Sequence, residues 1–192
     1  MKTPAVKAEV VRDVEILGGW VKVRRTEVRM PDGAVVERHI EDHGPGVAVL
    51  PYDPVRKVAL VISQPRVPVL LAGGGDIIET IAGRLDGSDP ADRILQEAME
   101  EGGVRLTTLE LVVHAWTIPS ISTERLHLYL APYEATDRFG VGGGAAEEHE
   151  NITVREISLA DLAVAAASGA LPDAKTLILV QALQIRRPDL FA

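Results

Sequence analysis

The sequence predicts an α/β (α+β) domain, a mixed β-sheet with helices packed on it, preceded by an antiparallel β meander. Three observations carry that expectation. Segments with strand character come first, then one helix, then more strands and finally helices, the order of a layered mixed sheet. Two runs, near 46–51 and 57–63, are almost continuously apolar, as central strands are. A charge-rich stretch from Val14 to Glu41 instead alternates with period two.

Each element has a local reason. In "VEILGGWVKVRRTEVRMPDGAVVERHIE", Val21, Val23, Thr26 and Val28 alternate with charged residues and "PDG" at 31–33 makes a turn, giving a polar-faced meander. "GVAVLPYDPVRKVALVISQPRV" supplies the two apolar strands, joined by a turn at "YDP". "LLAGGGDIIETIAG" reads as a glycine-rich loop and a short apolar strand whose single charge is Glu79. Asp89 is placed to cap a helix that begins with Pro90 and stops at Gly102 and Gly103. "LELVVHAWTIP", "RLHLYLAPYEA" and "ITVREI" are the next strands, the last preceded by the acidic loop "GVGGGAAEEHEN". Ser158 caps a helix that ends at Gly169, and "DAKTLILVQALQIRR" forms the final helix.

The chain has 192 residues, enough for one domain of ordinary size with an appended subdomain. Its formal net charge of −8 argues against a partner bound by neutralising phosphates along a nucleic acid. With no cysteine there is neither a disulfide framework nor a thiolate metal site, so any metal is held by carboxylate, histidine or carbonyl groups. The charged N-terminus, and the lack of any apolar run near the roughly 20 residues that span a bilayer, give the expectation of a cytoplasmic protein with no membrane partner.

One feature of the helix after Asp89 is costly. Glu97, Glu100 and Glu101 fall within an arc of roughly 100° on one side of it. Like charges so spaced cost roughly 0.2–0.5 kcal/mol per pair, and acids near a helix C-terminus also oppose its dipole. A hard divalent cation reverses that balance, because Mg²⁺ or Mn²⁺ prefers carboxylate oxygens, water and phosphate. The alternative is a solvated acidic face in which Arg93 pairs with Glu97 one turn on, leaving Glu100 and Glu101 without a helical partner.

Loop, helix and glycine stop together resemble the Nudix box, whose usual form is G, five residues, E, seven residues, then R-E-apolar-x-E-E-x-G-apolar. "QEAMEEGGV" at 96–104 matches the second half, with Gln96 in place of arginine; Gly83 matches the opening glycine, and "AGRLDGSDP" resembles the opening found in ADP-ribose and GDP-mannose pyrophosphatases. The box is one residue short and Ser88 stands where its first glutamate is expected. In the family that glutamate and the arginine look like an orienting ion pair, so their joint loss leaves no charge unpaired. "ISQPRVP", "ETIAG", "IPSISTERLHLYLA" and "GGGAAEEHENITV" resemble the segments that flank the box in the same order, although the turn of the third lacks the usual glycines.

The resemblance implies a Nudix-like α/β/α sandwich at 45–192 and a dimer-forming extension at 1–44. It implies hydrolysis of the pyrophosphate bond of a nucleoside diphosphate sugar of the GDP-mannose or ADP-ribose class, with Mg²⁺, or Mn²⁺ in its place, as cofactor. Carried over residue by residue, Glu97 and Glu101 would ligate the metal directly, Glu100 by bridging or through water, and Ala82 through its carbonyl. Arg66 would hold a phosphate and Glu79 would lie near substrate or metal. Glu148 or Glu150, in the acidic loop, would serve as general base, with Glu148 favoured by position. The alternative is a non-catalytic nucleotide-sugar sensor on the same fold, which the altered box keeps open. Trp20 and Trp116 are expected to pack rather than to stack on a base, and His39, His43, His114 and His127 show no metal-ligand spacing.

Overall fold

A computed structural model describes residues 6–144 and 151–191. By contact density the chain forms two compact units: the described residues up to Pro45 together with Ala115–Arg125, and Gly46–His114 together with the described residues from Leu126 onward. Among the described residues no helix is long and apolar enough to cross a membrane.

The first unit is the meander: β1 (Glu9–Leu17), β2 (Lys22–Arg29) and β3 (Val35–Asp42), antiparallel and in that order. β1 starts at Glu9, ahead of the expected Val14. Its early residues extend the antiparallel ladder with β2, Glu9 opposite Arg29, and carry exposed charge pairs, Arg29 to Glu9 at 3.5 Å and Arg12 to Glu27 at 3.6 Å, in place of apolar alternation. Residues 115–125 join at the β3 end, where Glu41 N donates to Ile121 O at 2.8 Å and Thr123 N to Glu41 O at 3.0 Å.

The second unit holds the main sheet, ordered β10-β5-β4-β9-β8, where β4 is Gly46–Asp53, β5 Val58–Gln64, β8 Glu110–Trp116, β9 Arg125–Pro132 and β10 Thr153–Ser158. β4 runs parallel to β9 and antiparallel to β5, so the sheet is mixed. Every residue of β4 is buried. Its two faces serve two cores. Ala48 and Leu50 join Val61, Leu128 and Leu130 beneath α3 (Leu159–Ser168) and α4 (Ala174–Arg186). Val47 and Val49 join Leu60, Ile62 and Tyr129 beneath α2 (Pro90–Glu100). The result is an α/β/α sandwich.

The helix ends follow the sequence closely. The Asp89 carboxylate accepts from Ala91 N at 2.9 Å and Asp92 N at 3.3 Å, and Pro90 occupies the first turn. Ser158 accepts from Asp161 N at 3.0 Å, and Gly169 closes α3 with φ +78°. The sequence did not disclose α1 (Val67–Leu71), a single turn begun by Pro68 in what reads as loop.

One irregularity positions everything below. β4 and β5 pair with each other only at Tyr52–Ala59 and Asp53–Val58. Beyond that corner they diverge, and the short β6 (Ile77–Glu79) lies along β5 while β7 (Ile81–Arg84) lies along β4. Thr80, at the step between them, is fully buried. Its N–H donates to Thr176 Oγ1 at 2.7 Å and its hydroxyl donates to the carbonyl of Val49. Thr176 in turn donates to Asp173 at 2.6 Å, and Asp173 caps α4 through Thr176 N at 2.9 Å.

Asp173 is therefore a largely buried anion on which the step depends. Burial raises its pKa, but the Lys175 ammonium and the hydrogen bonds of Lys175 and Thr176 outweigh this and hold it below the ordinary carboxylate value. A depressed folded-state pKa contributes stability above the unfolded value of about 3.9 and loses it as pH falls through the folded value. Asp173→Asn should therefore be less stable than the native chain at pH 7. The gap should narrow as pH falls below about 3.9, as followed by urea midpoints across that range.

Candidate active site

The wedge between β4 and β5 gives β7 an unusual status. One of its edges pairs with β4, and among the described residues no strand pairs with the other. Backbone groups on such an edge need partners from elsewhere. Ala82 N–H finds one in the Glu101 carboxylate, at 3.1 Å. One helical turn earlier, the Glu97 carboxylate lies over Gly83. A Cβ built on Gly83 would fall 1.6 Å from Glu97 Oε1, so only the absence of a side chain lets the carboxylate sit there. Glu97 is 5% and Glu101 2% exposed. Two buried carboxylates from α2 and its C-cap thus straddle the Ala82–Gly83 backbone.

Glu100 behaves differently. It is exposed and accepts from Gln96 Nε2 at 2.8 Å. The solvated-face alternative is therefore realised for Glu100 and not for its two neighbours. Arg93 pairs with Glu97, as that alternative supposed, but the pair is nearly buried and Arg93 Nε also donates to the carbonyl of Arg84 at 3.1 Å.

The helix C-terminus is satisfied by glycines rather than by a basic residue. Gly143 N donates to Glu101 O at 2.9 Å and Gly144 N to Glu100 O at 3.1 Å. Gly142 has φ +70°, and a Cβ there would lie 2.1 Å from Glu101 O. These N–H groups offset part of the negative end of the dipole that the acids would otherwise face. Glu148 and Glu150 follow this stem and lie outside the described residues.

A second charged cluster lies along β6. Arg66 grips Glu79 with both arms of its guanidinium, Nε to Oε1 at 2.6 Å and Nη2 to Oε2 at 3.1 Å. Glu79 is 2% exposed and also accepts from Lys175 Nζ at 3.1 Å, while Lys175 donates to Asp173 at 2.6 Å. Burial pulls the Lys175 pKa down, but the two carboxylates together raise it above the usual lysine value, so it is a fixed cation. Glu79 does not point to solvent as a plain strand residue would. Sequence reasoning passed over Lys175; its one signal is its place two residues after a helix-capping aspartate.

The donor set suits a hard cation. Among the described residues no group of three or more histidine or acidic side chains gathers closely enough to hold a metal ion. The available oxygens are two carboxylates and main chain. In a strand the N–H and C=O of one residue leave the same edge, so the Ala82 carbonyl faces the side on which Glu101 receives its N–H. Gly83 leaves the room that a carboxylate needs to reach that edge. Carboxylate and carbonyl oxygen is the chemistry of Mg²⁺ and Mn²⁺.

No family model matches the chain. Among curated proteins it is 35% identical over 188 residues to a GDP-mannose pyrophosphatase of Cronobacter sakazakii, covering 95% of this chain and 97% of that one. It is 32% identical over 191 residues to a GDP-mannose pyrophosphatase of Yersinia enterocolitica, covering 94% and 97%. It is 33% identical over 158 residues to one of Escherichia coli, covering 80% and 82%. A solved structure described as an ADP compounds hydrolase superposes with a TM-score of 0.78 at 12% identity, over 98% of each chain, a likeness of fold.

The Gly83 contact makes a separable prediction. Gly83 has no left-handed φ, so alanine is tolerated by the backbone, and the obstruction is the Glu97 side chain from Cγ to its carboxylate. Gly83→Ala should lower unfolding stability by on the order of 1–3 kcal/mol, because the methyl group displaces a buried carboxylate from its partners. It should also abolish any rise in melting temperature that added Mg²⁺ or Mn²⁺ produces, because Glu97 is displaced.

Proposed function

The chain belongs to the GDP-mannose pyrophosphatases, a group of Nudix hydrolases, and from that premise we propose that it hydrolyses GDP-mannose to GMP and mannose 1-phosphate with Mg²⁺ as cofactor. The single observation that supports the site is the pair of buried carboxylates, Glu97 and Glu101, set one turn apart against the free edge of β7. Carboxylates buried without use would be destabilising.

The reaction is an in-line displacement at phosphorus. A water oxygen forms a new P–O bond, the bond from that phosphorus to the bridging oxygen breaks, and the bridging oxygen leaves with the other phosphate. Glu97, Glu101 and the Ala82 carbonyl would hold the Mg²⁺, or Mn²⁺ in its place, which when bound supplies charge neutralisation and an activated water. Glu100, exposed and already hydrogen bonded to Gln96, is suited to act through water. Arg66 would offer a phosphate oxygen its solvent side; its side chain is 40% exposed and its orientation is fixed by Glu79. Glu148, or Glu150 beside it, would take the proton of the attacking water. ADP-ribose is the competing substrate of the same chemical class.

Purified protein with GDP-mannose and Mg²⁺ should release GMP and mannose 1-phosphate faster than it cleaves ADP-ribose. Glu101→Gln should lower kcat by on the order of 100-fold, at or beyond the loss seen on disturbing a ligand's supporting partner. Intact GDP-mannose after incubation with the native chain would overturn the assignment.

The proposal extends to the first unit, residues 1–44, as a dimerisation extension to a catalytic region at 45–192. Val10, Ile16, Leu17, Trp20 and Val35 are all exposed on or between its strands, more apolar surface than an isolated meander should leave in water. A second copy of the chain is the partner proposed for it. Light scattering after size-exclusion chromatography should give twice the 20.6 kDa chain mass, and the monomer mass would exclude it.

A further inference from the structure

We infer that Arg93 is the positioning residue for Glu97, a brace between helix α2 and strand β7 that holds this carboxylate at the metal. The inference rests on the reading of Glu97 as a metal ligand. Arg93 lies one turn before Glu97, and its guanidinium has two attachments. One end pairs with Glu97 Oε1; the Nε donates at 3.1 Å to the carbonyl of Arg84, the last residue of β7. The same side chain therefore spans the helix that carries the carboxylate and the strand against which the carboxylate must sit.

An ordinary exposed pair in this orientation, arginine before glutamate, is worth little. Here the carboxylate is nearly buried, its Oε1 is pressed over the bare Cα of Gly83, and a charge-assisted hydrogen bond is correspondingly stronger. A carboxylate offers about four lone-pair sites, so holding an arginine leaves it able to ligate a cation as well.

The two positions where the Nudix pattern sets its orienting pair are engaged elsewhere. Gln96 donates to Glu100 at 2.8 Å, and Ser88 N is turned to Leu85 O at 2.7 Å. Neither position carries a charge that could hold Glu97. Arg93, three residues before Gln96 on the same helix, supplies that charge from a different turn. The departures at Ser88 and Gln96 are then a relocation of the brace, not a loss of it.

The sign of one measurement separates this role from a merely nearby charge. Removing a cation close to a cation site should, by Coulomb's law alone, tighten metal binding. Removing a brace should weaken it. Mn²⁺ affinity, read without substrate from the electron paramagnetic resonance of free Mn²⁺, should fall about 10–100-fold in R93Q. It should fall less in R93K, which keeps the charge but cannot fork to both partners. Q96R alone should leave affinity within about twofold, since its neighbour Glu100 is not the braced group.

Unchanged or tighter Mn²⁺ binding in folded R93Q overturns the inference, whatever happens to GDP-mannose. If R93Q does not fold, R93K decides, and native affinity in R93K overturns it. A native chain that binds Mn²⁺ through Glu97, loses affinity in R93Q and yet leaves GDP-mannose intact would sink the substrate assignment and leave the brace standing.

Discussion

The divergence of β4 from β5 is the constraint on which the site depends. Two central strands that stayed paired along their length would satisfy every backbone group between them and leave none for a side chain. By parting after Tyr52 and Ala59, they admit β6 and β7 and leave β7 with one edge to be served by helix α2. The divergence is held open by Thr80, whose two hydrogen bonds tie the step to β4 on one side and to α4 on the other. From there the connection continues through Thr176 and Asp173 to Lys175, Glu79 and Arg66, so the charged cluster along β6 and the step in the sheet share one network.

The three glutamates that look so costly in the sequence are separated by their surroundings. Glu97 has an arginine, Glu101 has a main-chain N–H, and Glu100 has a glutamine and an exposed position. The helix end they crowd is capped by N–H groups from Gly143 and Gly144, which removes part of the dipole's objection. Each acid has therefore been paired by a different kind of partner. Repulsion that would be felt in an isolated peptide is here a small residue of the total.

Much of this was legible in the sequence, for physical reasons that differ from element to element. Caps are short-range chemistry, so Asp89, Ser158 and Gly169 could be read directly. Fully buried strands announce themselves by composition, as β4 and β5 do. The helix face of Glu97 and Glu101 followed from period alone. What was not legible depends on long-range pairing. The first residues of β1 are fixed by their pairing with β2, α1 is too short to show a period, and the parting of β4 and β5 has no local signature. Lys175 meets Glu79 across 96 positions of chain, and no spacing rule reaches that far. Arg93 was visible as a partner of Glu97, but its grip on Arg84 needed the fold.

The bare Cα at position 83 has an effect on assembly as well as on geometry. Slide β7 by one place along β4, and either Ala82 or Arg84 would come to lie beneath Glu97, where even a methyl group has no room. Such a slip would also turn the buried side chain of Ile81 to the opposite face. A chain with the strand misaligned would have to displace that carboxylate before its helix could settle on the sheet. The smallest residue in the site thus works as a register mark, favouring one alignment of the strand over its neighbours.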